Sequence, residues 1–247
     1  MFSVHQDSTI FEGFDVGGAG RSSLLYTGRL GSNGGGLKRR LLISFDLSNP
    51  TLEGCSNVVA KVELQLEASR VKAVDRVGLR AHRMSKGWTS GTGSNEDADP
   101  GVSTAEAGES TWEYRVYPAE KWESIGGDFN PIPSATSTAS CPSRFGCKRT
   151  LSSVAMAADV QTWLNDAKSN FGWILVGDEE ELQTAQQFGS GNSRLVVSFD
   201  AANAFPSTTA EDGTTEQTTA ARATSTAEAE TTTALETTPP LEGTTAL

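Results

Sequence analysis

The sequence predicts an all-β fold: a jelly-roll β-sandwich with one short helix, followed by a disordered C-terminal tail. Three observations carry this reading. Several runs alternate apolar and polar residues with a period of two, which is the mark of half-buried strands. Glycine- and proline-rich turns separate them. Only one segment carries apolar residues at helical spacing.

Leu41, Ile43, Phe45 and Leu47 alternate with Ser44 and Asp46 and predict the first strand. In Lys61-Val62-Glu63-Leu64-Gln65-Leu66-Glu67 the apolar side chains share one face. Val77, Leu79 and Ala81 make a third strand, with Arg76, Arg80 and His82 pointing the other way. Trp173-Ile174-Leu175-Val176 is apolar on both faces and predicts a central strand, and Leu195, Val197 and Phe199 a last one. Between Ser153 and Lys168, the spacing of Met156, Val160, Trp163, Leu164 and Ala167 predicts the helix. Turns fall at Gly31–Gly36, Ser48–Pro50, Gly126–Gly127 and Asn130–Pro133. Many short strands with long glycine-rich connections point to a sandwich or jelly roll. A domain over residues 1–205 is long enough to bury about 70% of the surface its unfolded chain exposes.

Residues 206–247 differ in kind. They are rich in threonine, hold no aromatic residue, and offer only Leu235, Leu241 and Leu247 as large apolar groups. Such a segment buries too little apolar surface to offset the entropy of ordering it. Its composition fits a plain linker or an O-glycosylated stalk. Seven acidic residues against Arg222 give it a net charge of −6, of the −11 for the whole chain. The overall acidity argues against a protein that coats DNA or an anionic membrane, although, with more than half of it in the tail, the argument does not hold locally on the body. No stretch approaches 18 apolar residues, so no membrane span is read. Met1–Asp7 has neither the basic start nor the apolar run of a secretory signal peptide.

Cys55, Cys141 and Cys147 allow three pairings, of which Cys141–Cys147 closes the smallest loop and is preferred, given an oxidising compartment. No CxxC pair supports zinc, and His5 and His82 are far apart. Asp97, Asp99 and Asp128 are candidate ligands for a structural Ca²⁺, although without EF-hand spacing. The run Gly31–Gly36 lacks the G-K-[ST] ending of a phosphate loop and precedes a strand, so it reads as a hairpin loop. No G-x-S-x-G elbow occurs.

Five tryptophans stand out. Trp163 and Trp173 fall on the helix stripe and the central strand and are assigned to the core. Trp88 and Trp112 flank the polar insertion Thr89–Ser110 and are candidates for stacking on sugar rings; Trp122 is intermediate. Basic residues cluster too: Arg21, Arg29, Lys38, Arg39 and Arg40 early in the chain, then Arg70, Lys72, Arg76, Arg80, Arg83 and Lys86 around the third strand. Arginine pairs bidentately with carboxylate or sulfate, so such a face suits an acidic polymer; a plain solvated strand face is the alternative.

Four blocks give the chain a family likeness. They are Arg40–Leu47 with Ala60–Leu66; Trp88-Thr89, Ser110-Thr111-Trp112 and Trp122 ending in Gly126-Gly127-Asp128-Phe129; Val160–Leu164 with Asn170–Leu175; and Phe188-Gly189-Ser190 with Arg194–Phe199. Together they resemble the DNRLRE domain, the group that includes carbohydrate-binding module family 96, over about residues 5 to 200. The resemblance implies an extracellular or cell-surface jelly roll without catalysis, in some members a binder of acidic polysaccharide such as alginate. Ser44 in place of a basic residue, the insertion Thr89–Ser110 and the Cys141–Cys147 loop depart from the pattern.

The sequence therefore predicts a non-catalytic module for an anionic polysaccharide, with Arg40, Arg80, Arg83, Lys86, Trp88 and Trp112 as the ligand-binding residues. Two rivals stand beside it. One is a jelly-roll polysaccharide lyase or hydrolase drawing on Tyr26, Tyr114, Tyr117, His5 and His82. The other is a structural or adhesive surface protein that binds other proteins.

Overall fold

The computed structural model describes residues 1–13, 17–18, 20, 22–48, 58–71, 77–91, 104–139 and 145–200. All of them fall in one unit, Met1–Pro206. The predicted tail, Cys55, Cys141, Asp97 and Asp99 lie outside the described residues.

The predicted strands are present among β3 (Lys38–Phe45), β4 (Val59–Val71), β5 (Val77–Arg83), β10 (Trp173–Gly177) and β12 (Arg194–Phe199). Joining them are β1 (Val4–Phe11), β2 (Leu24–Arg29), β8 (Ala135–Ala139), β9 (Phe145–Leu151) and β11 (Gln186–Gly189). A short separate hairpin holds β6 (Tyr114–Val116) and β7 (Glu120–Lys121). Every pairing between these strands is antiparallel.

Two layers result. Sheet A runs β9, β4, then β12 and β11 end to end, then β2. Sheet B runs β1, β3, β10, β5, β8, with β10 central as its two-faced apolar run requires. Strand β2 belongs to both: Leu24–Thr27 pair with β11, whereas Gly28 and Arg29 pair with β3. Gly28 makes this corner, with φ at +90°, and a Cβ there would lie 2.5 Å from the Thr184 carbonyl oxygen. At the start of the chain, Phe2 bridges to Leu195 of sheet A before β1 enters sheet B. The sandwich is thus nearly closed.

The alternation read from sequence fills the space between the sheets. Leu41, Ile43, Phe45, Leu79, Trp173 and Leu175 from sheet B meet Val62, Leu64, Leu66, Phe188 and Leu195 from sheet A. Helix α1 (Val154–Asn165) packs Met156, Val160 and Trp163 against the same core. Ser153 caps it, accepting from the Met156 N–H at 3.0 Å. Buried Asp159 fastens the helix to sheet B, accepting from the Trp173 indole at 2.9 Å and the Ser134 hydroxyl at 2.5 Å. Trp163 meets Trp173 edge to face, with centroids 4.5 Å apart. Both tryptophans are core, as the sequence predicts.

One charged side chain crosses the interior. Arg149 is fully buried and donates from Nε and Nη2 to Gln186 Oε1, at 3.2 and 2.7 Å, and from Nη2 to the Val77 carbonyl. It therefore ties β9 and β11 of sheet A to β5 of sheet B. Buried charge is tolerated only with such hydrogen-bonded compensation.

A terrace on the outer face of sheet B

The outer face of sheet B is apolar at one side. Leu42, Ile174 and Val176 point away from the main core, joined by Ile10 of β1. Leaving that aliphatic surface against water is costly, and residues 84–91 and 104–129 supply side chains that cover it. Trp88, Trp112 and Trp122 pack there with Met84, Phe129 and Phe171 to form a second core. The Trp88 indole donates to the Phe171 carbonyl and the Trp122 indole to the Thr111 carbonyl, each at 2.9 Å.

This corrects the expectation for Trp88 and Trp112. They are 4% and 7% exposed, so their ring faces are spent on packing and offer no platform to a sugar. Arg40 is corrected likewise. Its side chain is 14% exposed, and its guanidinium pairs bidentately with Glu179 and donates to the Gly126 carbonyl at 2.7 Å. It also lies over the rings of Trp112 and Phe129, at 4.7 and 5.5 Å from their centroids. Nε, Nη1 and Nη2 are thus all engaged, by Glu179 and by Gly126 of the covering layer, which leaves no fork for a ligand.

Arg80 is placed differently. The register sets Arg40, Val176, Arg80 and Thr136 in one row across β3, β10, β5 and β8. The covering layer ends before the far part of this row. Its border is Phe129 and Asn130: Phe129 meets the His82 ring edge-on at 5.0 Å, and the Asn130 carbonyl contacts His82 Nδ1 at 2.9 Å. Beyond it Arg80, 38% exposed, stands beside exposed Thr136, and Thr138 lies one register step along β8, opposite Gly78. Arg80 donates from Nη2 to the Gly177 carbonyl at 2.9 Å, and its Nη1 lies 3.9 Å from Asp178 Oδ1, a loose and partly exposed pair. Burial pushes the His82 imidazole down, reinforced by the cations of Arg80 and Arg40 and opposed by the Asn130 contact and Glu179.

The other two basic candidates do not join Arg80. Alternation along β5 turns Arg83 to the opposite side, where its Nε lies 3.6 Å from Asp159 of α1. Lys86 pairs with Glu123 at 2.9 Å on the rim of the covering layer. Arg29 is committed to the carbonyls of Gly36, Glu179 and Glu180. Arg39 lies over the rings of Phe11 and Tyr26. Arg21, Lys72 and Arg76 lie outside the described residues. The structure thus divides the predicted basic face and leaves Arg80 with two threonines that sequence reasoning missed. Their signal was the alternation of small and hydroxyl residues in Ala135–Ala139.

Asp128, the one described candidate for Ca²⁺, has both carboxylate oxygens engaged by the backbone N–H groups of Glu123 and Ser124, at 2.9 and 2.7 Å. It is a turn cap. Among the described residues no cluster of three or more His, Cys, Asp or Glu is placed to hold a metal ion. Cys147 is disulfide-bonded; both other cysteines lie outside the described residues. Also among the described residues, no helix is long and apolar enough to cross a membrane. Among the described residues the terrace presents the Arg80 guanidinium beside the hydroxyls of Thr136 and Thr138.

No protein-family model matches the chain, and no curated protein matches it significantly.

Proposed function

We propose that this chain is a non-catalytic module that binds an acidic polysaccharide, such as the polyuronate alginate, on the terrace formed by β5 and β8. The observation that carries the reading is Arg80, a third exposed and only loosely balanced by Asp178, in register with exposed Thr136. A guanidinium fork donates bidentately to a uronate carboxylate, and threonine hydroxyls both donate to and accept from sugar hydroxyls. An extended chain lying along the strands would present a carboxylate at each uronate unit. The likeness to the DNRLRE domain supports the same reading, and the Cys147 disulfide supports an oxidising, extracellular or cell-surface setting.

Affinity electrophoresis through gels holding alginate, fucoidan or a neutral glucan tests this. Retardation by alginate that fades with added salt is the expected result, since a single surface cation is readily screened. Free migration in all three gels overturns the reading. Unsaturated-product absorbance on incubation with alginate replaces it with the lyase.

A further inference from the structure

Sheet B ends at β8. Among the described residues β8 pairs only with β5, and Thr136, Ser137 and Thr138 take no other hydrogen-bond partner. Alternate backbone N–H and C=O groups along its far side therefore point away from the sheet. Proteins ordinarily blunt such an edge with charge, proline, a bulge or a covering segment. The other edges show these devices. On β1, Gln6 donates to the Trp88 carbonyl at 3.1 Å, and Thr9 accepts from the Tyr26 N–H at 2.9 Å. On β9, Lys148 is exposed. Ala135-Thr136-Ser137-Thr138-Ala139 carries no charge, proline or glycine, and its register with β5 is unbroken.

The strand also reads the same in both directions. Antiparallel pairing with a second copy, about a two-fold axis at Ser137, sets position 135 opposite 139 and 136 opposite 138. Every residue then stands opposite its own type, as a self-complementary two-fold contact requires. Threonine suits strands, and facing threonines hydrogen-bond across them. Moving the axis to Thr136 brings Pro133 into the pairing, and proline has no N–H to give. The axis stands perpendicular to the sheet, so the outer faces of both copies look the same way. The two Arg80 positions then lie about 16 Å apart, three strand spacings across and two residues along.

We propose that two copies of this chain associate edge to edge through β8, in antiparallel register centred on Ser137. The contact is small, five residues from each copy, and the net charge of −11 on each chain opposes it. The dimer is therefore weak and exchanges readily. It rests on the edge of β8 and stands whether or not the terrace binds a polyuronate.

Sedimentation velocity of the full chain tests it, at loading concentrations from about 10 μM to about 1 mM, the range of weak dimers. Physiological salt screens the repulsion between copies. The sedimentation coefficient is expected to rise with concentration toward that of a dimer. Two double variants of the exposed threonines read the register, each with a circular dichroism spectrum matching the wild type. Thr136→Lys with Thr138→Lys sets lysine opposite lysine twice and is expected to weaken association at least about tenfold. Thr136→Lys with Thr138→Glu sets lysine opposite glutamate twice and is expected to associate at least as well as the wild type. A wild type that stays monomeric throughout overturns the proposal. So does a dimer that the two lysines leave intact, or one that both double variants weaken equally. Failure of alginate binding, by contrast, removes only the reading of the terrace.

Discussion

Arg40 and Glu179 meet in a bidentate pair, Nε to Oε1 at 2.7 Å and Nη2 to Oε2 at 2.8 Å, at the foot of the layer that packs on the outer face of sheet B. Glu179 is 9% exposed in its side chain, so water contributes little to either charge. Glu179→Ala leaves the guanidinium without its counter-charge and loosens its hold on Gly126 and Trp112. Removing one partner of a buried pair costs about 3–5 kcal/mol. Urea denaturation is expected to show a loss near the lower figure, because Arg40 keeps the Gly126 carbonyl and some solvent contact. An unchanged midpoint would show the pair to be incidental.

Trp88 tests whether the covering layer is core or binding surface. Trp88→Ala opens a cavity among Ile174, Met84 and the other tryptophans, and large aromatic truncations in cores cost about 3–5 kcal/mol. A stacking platform on the surface would cost almost nothing in stability and much in affinity. The expected pattern is the reverse: a marked fall in denaturation midpoint, with alginate retardation kept under conditions where the variant stays folded.

Asp7 gives a pH dependence. Burial raises its carboxyl above the ordinary carboxylate range, against the opposing hydrogen bonds from Ser190 and Gly191. The ionised form is thus disfavoured in the folded state relative to the unfolded one, and the folded state holds the proton more tightly. Stability from this group rises as pH falls through the raised value and levels off below the unfolded value. Asp7→Asn removes the ionisation while keeping a partner for Ser190. It is expected to be more stable than the wild type at neutral pH, with the gap closing as pH falls into the carboxylate range. Paired denaturation curves across that window measure it, and a constant gap contradicts it.

The strands with large alternating aliphatics, β3, β4, β5, β10 and β12, were legible because each buries one face on the main core. Strand β8 was not, since Ala135-Thr136-Ser137-Thr138-Ala139 has no large apolar group and owes its place to pairing with β5. Strand β9 hid its register because Arg149 occupies an interior position that a hydrophobic pattern leaves blank. The burial of Trp88 and Trp112 did have a signal. Leu41-Leu42-Ile43 and Trp173-Ile174-Leu175-Val176 are apolar on both faces, so something had to cover the outer one, and the nearest supply of apolar bulk was the tryptophan set. Arg80 was correctly placed on the polar face of its strand. That Arg83 turns away followed from the same alternation, and grouping basic residues by proximity in sequence obscured it.

The central claim is that Arg80 and the terrace beside it bind a polyuronate. Titration calorimetry of the full chain with alginate oligosaccharides, comparing wild type with Arg80→Ala at one low ionic strength, tests it most directly. Among the described residues Arg80 is hydrogen-bonded to Gly177 and loosely paired with Asp178, and it is about a third exposed, so the variant is expected to keep its fold. The account predicts that the wild type binds and that Arg80→Ala binds at least about tenfold more weakly. A wild type that releases no heat at any concentration, or a folded Arg80→Ala that binds as well as the wild type, would contradict it.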